Sequence, residues 1–180
     1  YSTFLSGNHH AEPFSIAVDP EGNAYIAGRA DEPDFPTTPG AYDRTANGAL
    51  DAFVTKLAPS GGSLVYSTFL GGGSSDVAES ISLDSAGNAI VSGVTYSSDF
   101  PTTPGAFRSC FIGGLDVFVA KLDGAGSSLL FSTVFGGSSD EDWLSVLVDA
   151  ASDIHVAGTT GSADFPTTDG AFDTTYNGGP

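Results

Sequence analysis

Short apolar runs alternate along the chain with stretches rich in Gly, Pro, Ser and Asp. Within the runs, hydrophobic positions fall on every second residue. In Ser15–Val18, Ser80–Leu83 and Ser145–Val148, the pairs Ile16/Val18, Ile81/Leu83 and Val146/Val148 follow this period of two, which predicts strands with one buried face. A second set, Ala24–Gly28, Ala89–Gly93 and Ile154–Gly158, puts Ile26, Val91 and Val156 on one face and Tyr25, Ile90 and His155 on the other. Between the two sets lie Asp19-Pro20-Glu21-Gly22-Asn23 and Asp84-Ser85-Ala86-Gly87-Asn88. Each supplies an Asp that can bond turn amides and a Gly that tolerates positive φ, the chemistry of a hairpin. The third copy, Asp149–Asp153, lacks the Gly, so a less comfortable turn is expected there. Further runs at Asp51–Leu57 and Asp116–Leu122, and at Leu64–Leu70 and Leu129–Phe135, complete a set of four, here named a to d. Tyr1–Leu5 reads as an orphan copy of run d. No segment carries a helical period, so helix should be minor.

The runs recur at a fixed interval. Asp-Phe-Pro-Thr-Thr occurs at Asp34–Thr38, Asp99–Thr103 and Asp164–Thr168, 65 residues apart each time. The chain therefore reads as a single repeat array over 1–180, with units 1–65, 66–130 and 131–180, in the order d-abcd-abcd-ab. The last unit is truncated and lacks strand c. An a-b-c-d unit predicts an all-β fold, a β-propeller built of four-stranded antiparallel blades with strand a near the axis and strand d at the rim. A β-solenoid is the competing architecture, but it needs shorter, more regular coils. The small residues Ala27, Gly28, Ser92, Gly93, Ala157 and Gly158 of run b are expected to let neighbouring blades approach. Propellers have about four blades or more, and fewer than three are encoded here, so the expectation is an incomplete ring. Either further blades of the same parent chain or copies of the chain itself would then be its partners, because bare strand edges and blade faces are association sites.

Charge narrows the partners. With 22 acidic residues against 5 basic and a net charge of −17, the chain should repel phosphate backbones and anionic membrane surfaces. No apolar run is long enough for a membrane-spanning helix, so no membrane insertion is expected. Strand order puts the d–a connections (Ser6–Pro13, Gly71–Glu79, Gly136–Asp142) and the b–c loops at one end of every blade. That end holds 16 of the 22 acids, counting Asp51 and Asp116 at its border. The single Cys110 cannot form an internal disulfide and reads as an incidental loop thiol. Abundant Gly, Ser and Thr with scarce Lys suit an extracellular or cell-surface protein.

The strings Tyr66–Gly72, Ile81–Gly93 and Asp99–Phe107 together resemble the bacterial SBBP β-propeller repeat, a seven-bladed β-propeller repeat family, and the likeness runs along essentially the whole chain. Departures are local: Ser6–His10 replaces a Gly-Gly-rich stretch, and Asp169 stands where Pro39 and Pro104 stand. The resemblance implies a propeller on secreted or cell-surface proteins and implies no catalytic activity.

Candidate chemistry is sparse. In the D-F-P-T-T loops the aromatics Phe35, Phe100 and Phe165 precede Pro36, Pro101 and Pro166, which restricts them to extended geometry. They are expected to plug between blades while Asp34, Asp99, Asp164 or the Thr oxygens cap turn amides. Tyr42, Phe107 and Phe172 should form a second aromatic anchor. Gly22 and Gly87 belong to the hairpins. Asp140-Glu141-Asp142 is the densest acidic cluster and the candidate for Ca²⁺, although it lacks the spacing of a calcium loop; no other cofactor is expected. His9-His10-x-Glu12 matches no zinc spacing. Trp143 reads as a buried anchor with stacking on a sugar as the alternative, and His155 as a packed or inter-blade side chain. No nucleophile elbow, phosphate-cradling loop or Cys/His array is present, so no catalytic residue is assigned. The sequence predicts a non-catalytic structural or adhesive module. A carbohydrate- or peptide-binding propeller using the acidic loop end is the alternative, and a polysaccharide-cleaving enzyme the third reading.

Overall fold

A computed structural model describes residues 1–8, 10–31, 33–109 and 111–178. Among them the chain forms ten strands and no helix, so none is long and apolar enough to cross a membrane. The first four strands, β1 (Ala11–Val18), β2 (Ala24–Ala30), β3 (Asp51–Leu57) and β4 (Leu64–Leu70), make one antiparallel sheet in sequence order. β5 (Asp76–Leu83), β6 (Ala89–Thr95), β7 (Asp116–Leu122) and β8 (Leu129–Phe135) make a second of the same design. β9 (Glu141–Val148) and β10 (Ile154–Thr160) form a two-stranded third. Up-and-down four-stranded sheets repeated along the chain are propeller-like units.

The a–b hairpins repeat atom by atom. Asn23 N–H donates to Asp19 Oδ1 at 2.8 Å, Asn88 N–H to Asp84 Oδ1 at 2.9 Å and Asp153 N–H to Asp149 Oδ1 at 2.9 Å. Gly22 and Gly87 sit at φ 86° and 76°, and Ser152 takes the same left-handed backbone at φ 69°. The third turn thus keeps its shape with a side chain where the other two have none.

The sheets pack face to face. Tyr25, Val54 and Tyr66 of the first meet Ile81, Val91 and Phe118 of the second in one buried cluster. Ile90, Val119 and Val146 begin the next junction. Strands β1, β5 and β9 stand side by side, and serines span the gap: Ile81 N–H donates to Ser15 Oγ at 3.2 Å and Val146 N–H to Ser80 Oγ at 3.0 Å. Amides on the first strand of one sheet are therefore satisfied by the sheet before it.

Several sequence expectations change. Run a begins earlier than its hydrophobic alternation, at Ala11, Asp76 and Glu141, because register shifts at Pro13/Ser15, Ala78/Ser80 and Ala157/Thr159 interrupt the period of two. The d–a loops are correspondingly shorter. Tyr1–Leu5 forms no strand. Strands β4 and β8 each pair with the c strand of their own sheet, whereas Tyr1–Leu5 pairs with no strand among the described residues. The Tyr1 ring nevertheless covers Gly61 as Tyr66 covers Gly126. The glycines of run b serve their own sheet rather than the gap between sheets. A Cβ on Gly28 would overlap the Glu12 carbonyl, and one on Gly93 the Val77 carbonyl, each on the bulged strand alongside.

Candidate functional site

The first two D-F-P-T-T loops close the outer edge of the two four-stranded sheets. Thr38 N–H donates to Ser67 C=O at 3.0 Å, and Ser67 N–H donates back to Thr38 Oγ1 at 3.0 Å. Thr103 and Ser132 repeat the exchange at 3.0 and 2.9 Å. The outer edge of β4 and of β8 is thereby covered, which blunts it as a pairing site. Ahead of the Thr, the Asp reaches the d–a loop: Gly73 N–H donates to Asp99 Oδ1 and Ser138 N–H to Asp164 Oδ1, both at 2.8 Å, while Asn8 Nδ2 meets Asp34. Phe35 stacks beside Phe53 at 4.5 Å and Phe100 beside Phe118 at 4.5 Å, both buried. Phe165 touches Phe135 at 6.3 Å and is only half-buried, because its sheet has two strands.

The remaining aromatics divide. Tyr42 is half-buried against the first junction, and its N–H donates to Gly126 C=O in the next unit's c–d turn at 2.8 Å. Phe107 and Phe172 are exposed, contrary to the anchor role expected of them. Trp143 is 77% exposed at φ 57°, not buried. It lines a cleft of about 840 Å³ with Asp140, Thr159, Asp173 and Tyr176. His155 is likewise exposed, 3.2 Å from Asp149. Its counterparts Tyr25 and Ile90 are wholly buried in clusters between sheets.

Asp140, Glu141 and Asp142 do not converge. Asp140 Oδ1 accepts Leu115 N–H, Glu141 accepts Gly137 N–H and Thr160 Oγ1, and Asp142 accepts Trp143 N–H. Among the described residues no group of three or more His, Cys, Asp or Glu side chains is arranged to hold a metal ion. His10 lies 3.4 Å from Glu12, whose carboxylate is held by Arg29 at 2.6 Å; His9 and Cys110 lie outside the described residues.

At the a–b end, ion pairs recur. Lys56 lies 3.2 Å from Asp19 and Lys121 2.7 Å from Asp84. Burial pushes both carboxyls up, but the bonds from Asn23 or Asn88 and the ammonium outweigh it and hold each at about 2. Tyr25 links this network to the next sheet by donating to Gly87 C=O at 3.3 Å.

The feature least visible in the sequence lies at the opposite end. Asp51, Asp76, Asp116 and Glu141 were counted with a solvated acidic face or a metal cluster, yet all four are buried, none more than 1% exposed. They form two pairs, one at each sheet junction, facing across Gly71 and Gly136. Burial raises the Asp51, Asp76 and Asp116 carboxyls, and the neighbouring acid adds to the shift for Asp51 and Asp116. A signal was available: an acid that only solvates a loop need not recur at one register of the repeat, and Leu-Asp-x-Phe does so at Leu50 and Leu115.

The comparisons with known proteins point the same way as the geometry. An uncharacterized WD repeat-containing protein of Acanthamoeba polyphaga mimivirus is 32% identical over 129 residues, 64% of this chain. The chain spans 9% of that protein's length. Residues 5–36, which hold the first a–b hairpin and Asp34-Phe35-Pro36, match the family model described as SBBP, a β-propeller repeat. Residues 5–36 are thus similar to the SBBP β-propeller repeat, and the antiparallel sheet that they begin has a four-stranded counterpart in β5–β8.

Proposed function

We propose that the chain is a non-catalytic structural module of an extracellular or cell-surface protein, part of a propeller whose ring these sheets leave incomplete. Its partners are further blades of the same parent chain or copies of itself. The observation that carries this reading is the pair of unlike outer faces. On the first sheet Ile16 and Val18 are exposed, while Ile81 and Val146, the counterparts of Ile16, are buried against a preceding sheet. On the third sheet Leu147 is exposed, and its counterpart Ala17 packs into a junction. Each outer face is of the kind that covers the other inside the molecule, so contact is head-to-tail, which yields rings or filaments. The rim edges of β4 and β8 are covered, which leaves blade faces and the free edge of β10 for association. Sedimentation over a range of concentrations tests the reading. Assembly weakened by Ile16→Asp is the expected result; an 18.2 kDa monomer at every concentration would refute the self-associating form.

A second reading, recognition of a glycan or peptide at the acidic loop end, is favoured by one observation: the exposed Trp143 lining a cleft with Asp140, Asp173 and Tyr176. An exposed indole face is suited to stacking on a sugar ring. Binding on a glycan array that disappears with Trp143→Ala would support this reading, and an array silent for the parent protein would dismiss it for glycans.

A further inference from the structure

Strand edges in this molecule are not equally protected. The far edge of β2 is paired with β3, and that of β6 with β7, along the whole strand. Among the described residues β10 pairs with β9 alone, so its other edge presents unpaired backbone N–H and C=O groups. An open edge is usually guarded by Lys, Pro or a covering loop. β4 and β8 have the loops of Thr38 and Thr103. β10 is Ile-His-Val-Ala-Gly-Thr-Thr, with neither Lys nor Pro.

The surroundings of that edge specify what fits it. An apolar groove of about 370 Å³ lies beside it, lined by Phe107, Val119, Phe131, Ile154, Val156 and Phe165. Val119, Phe131, Val156 and Phe165 stand 65 residues after Val54, Tyr66, Val91 and Phe100. At the first junction those four share one buried cluster with Phe118, Ala120 and Leu122 of β7. Phe118 lies opposite Gly93, and a Cβ on that glycine would come within 2.9 Å of the ring. Gly158 keeps the same bare spot in β10, where a Cβ would meet atoms of β9 first. Phe35 and Phe100 each have a c-strand phenylalanine at 4.5 Å, whereas Phe165 has Phe135 edge-on at 6.3 Å. Charge tells the same story. Lys56 lies opposite Tyr25 and Lys121 opposite Ile90, and they reach Asp19 and Asp84. His155 holds that position in β10, and Asp149 has its imidazole at 3.2 Å but no lysine.

We propose that the open edge of β10 is a strand-acceptor site whose ligand is an extended peptide of the pattern Asp-x-Phe-x-x-Lys-Leu, laid antiparallel to it. In the register of β6 with β7, the Asp stands opposite Thr160 and the Phe covers Gly158 against Phe165. The Lys stands opposite His155 within reach of Asp149, and the Leu opposite Ile154. Main-chain bonds supply affinity in such strand addition, and pockets for alternate side chains supply selectivity. A second copy keeps its own strands of this pattern, β3 and β7, paired on both edges. The ligand is therefore a free segment and not an intact copy. The inference rests on the reading of the β10 edge as a place of association and adds the chemistry of what binds there.

A synthetic peptide of residues 115–122, Leu-Asp-Val-Phe-Val-Ala-Lys-Leu, tests the site against the full chain, at a dilution where the chain alone sediments as a monomer. Anisotropy of the labelled peptide should report saturable binding, and amide exchange in β10 should slow by about tenfold or more. Phe118→Ala in the peptide should weaken binding by about tenfold or more. Lys121→Ala in the peptide should weaken it about two- to fivefold, and only at low salt. Asp149→Asn in the chain, a change at an exposed turn, should make the parent and Lys121→Ala peptides bind alike. Absence of saturable binding, protection at an edge other than β10, or equal affinity for a peptide of the same residues in scrambled order would overturn the proposal. Sedimentation of the chain alone reads self-association separately. Peptide binding without self-association supports the acceptor site and refutes copies as partners, whereas self-association without peptide binding overturns the acceptor site alone.

Discussion

β6 and β10 are copies of one strand, Ala-Ile-Val-Ser-Gly-Val-Thr and Ile-His-Val-Ala-Gly-Thr-Thr, in very different settings. β6 is buried at every position, whereas β10 is exposed at its five central ones. The difference does not come from composition, since both keep the Gly opposite the bulge and the alternation of faces. It comes from neighbours: β6 has β5 and β7 at its edges and buried clusters on both its Val91 and Ile90 faces, while β10 pairs with β9 alone and only its Ile154 packs against a buried cluster. In a repeat protein, burial belongs to the stack and not to the unit, so one substitution made at equivalent positions should have unequal consequences.

The largest such contrast is expected at the D-F-P-T-T aromatics. Phe100→Ala should cost about 3–5 kcal/mol in chemical denaturation, as buried aromatic truncations do, and Phe165→Ala less than half of that. Equal losses would break the comparison. The run b glycines come next. Gly93→Ala forces a Cβ into the Val77 carbonyl and should cost about 2–3 kcal/mol. At Gly158 the same Cβ would lie 3.2 Å from the Asp142 carbonyl, a contact relieved by a small shift, with a cost under about 1 kcal/mol.

A smaller, pH-dependent contrast separates the hairpins. Asp84, held at about 2, contributes stability that is present above its unfolded value of 3.8 and is lost as pH falls toward about 2. Asp149 is lowered by the Asp153 amide and His155 but has no lysine and is more exposed. Acid titration of melting temperature should therefore flatten markedly with Asp84→Asn and little with Asp149→Asn. The smallest effect is a gain: Ser152→Gly relieves a side chain held at φ 69° and should add about 0.5–1 kcal/mol in thermal melts.

Much of this fold can be read from the residues. The period of two placed Ile81 and Val91 on buried faces, Gly22 and Gly87 marked the turns, and the recurrence of Asp-Phe-Pro-Thr-Thr set the frame. What escaped was context. The bulges hid the first residues of β1, β5 and β9, because an extra residue throws the alternation out of step. Trp143 and Phe107 read as anchors because an isolated aromatic says hydrophobic without saying what covers it. The buried acids escaped for the converse reason. Charge predicts exposure, and only the closeness of Asp51 to Asp76, which are 25 positions apart in the chain, shows otherwise.

Amide hydrogen exchange in dilute protein tests the role of neighbours most directly, because β2, β6 and β10 can be compared within one sample. The stack predicts slow exchange in β2 and β6, near the global unfolding limit, and exchange in β10 faster by orders of magnitude. Protection of β10 equal to that of β6 would contradict it.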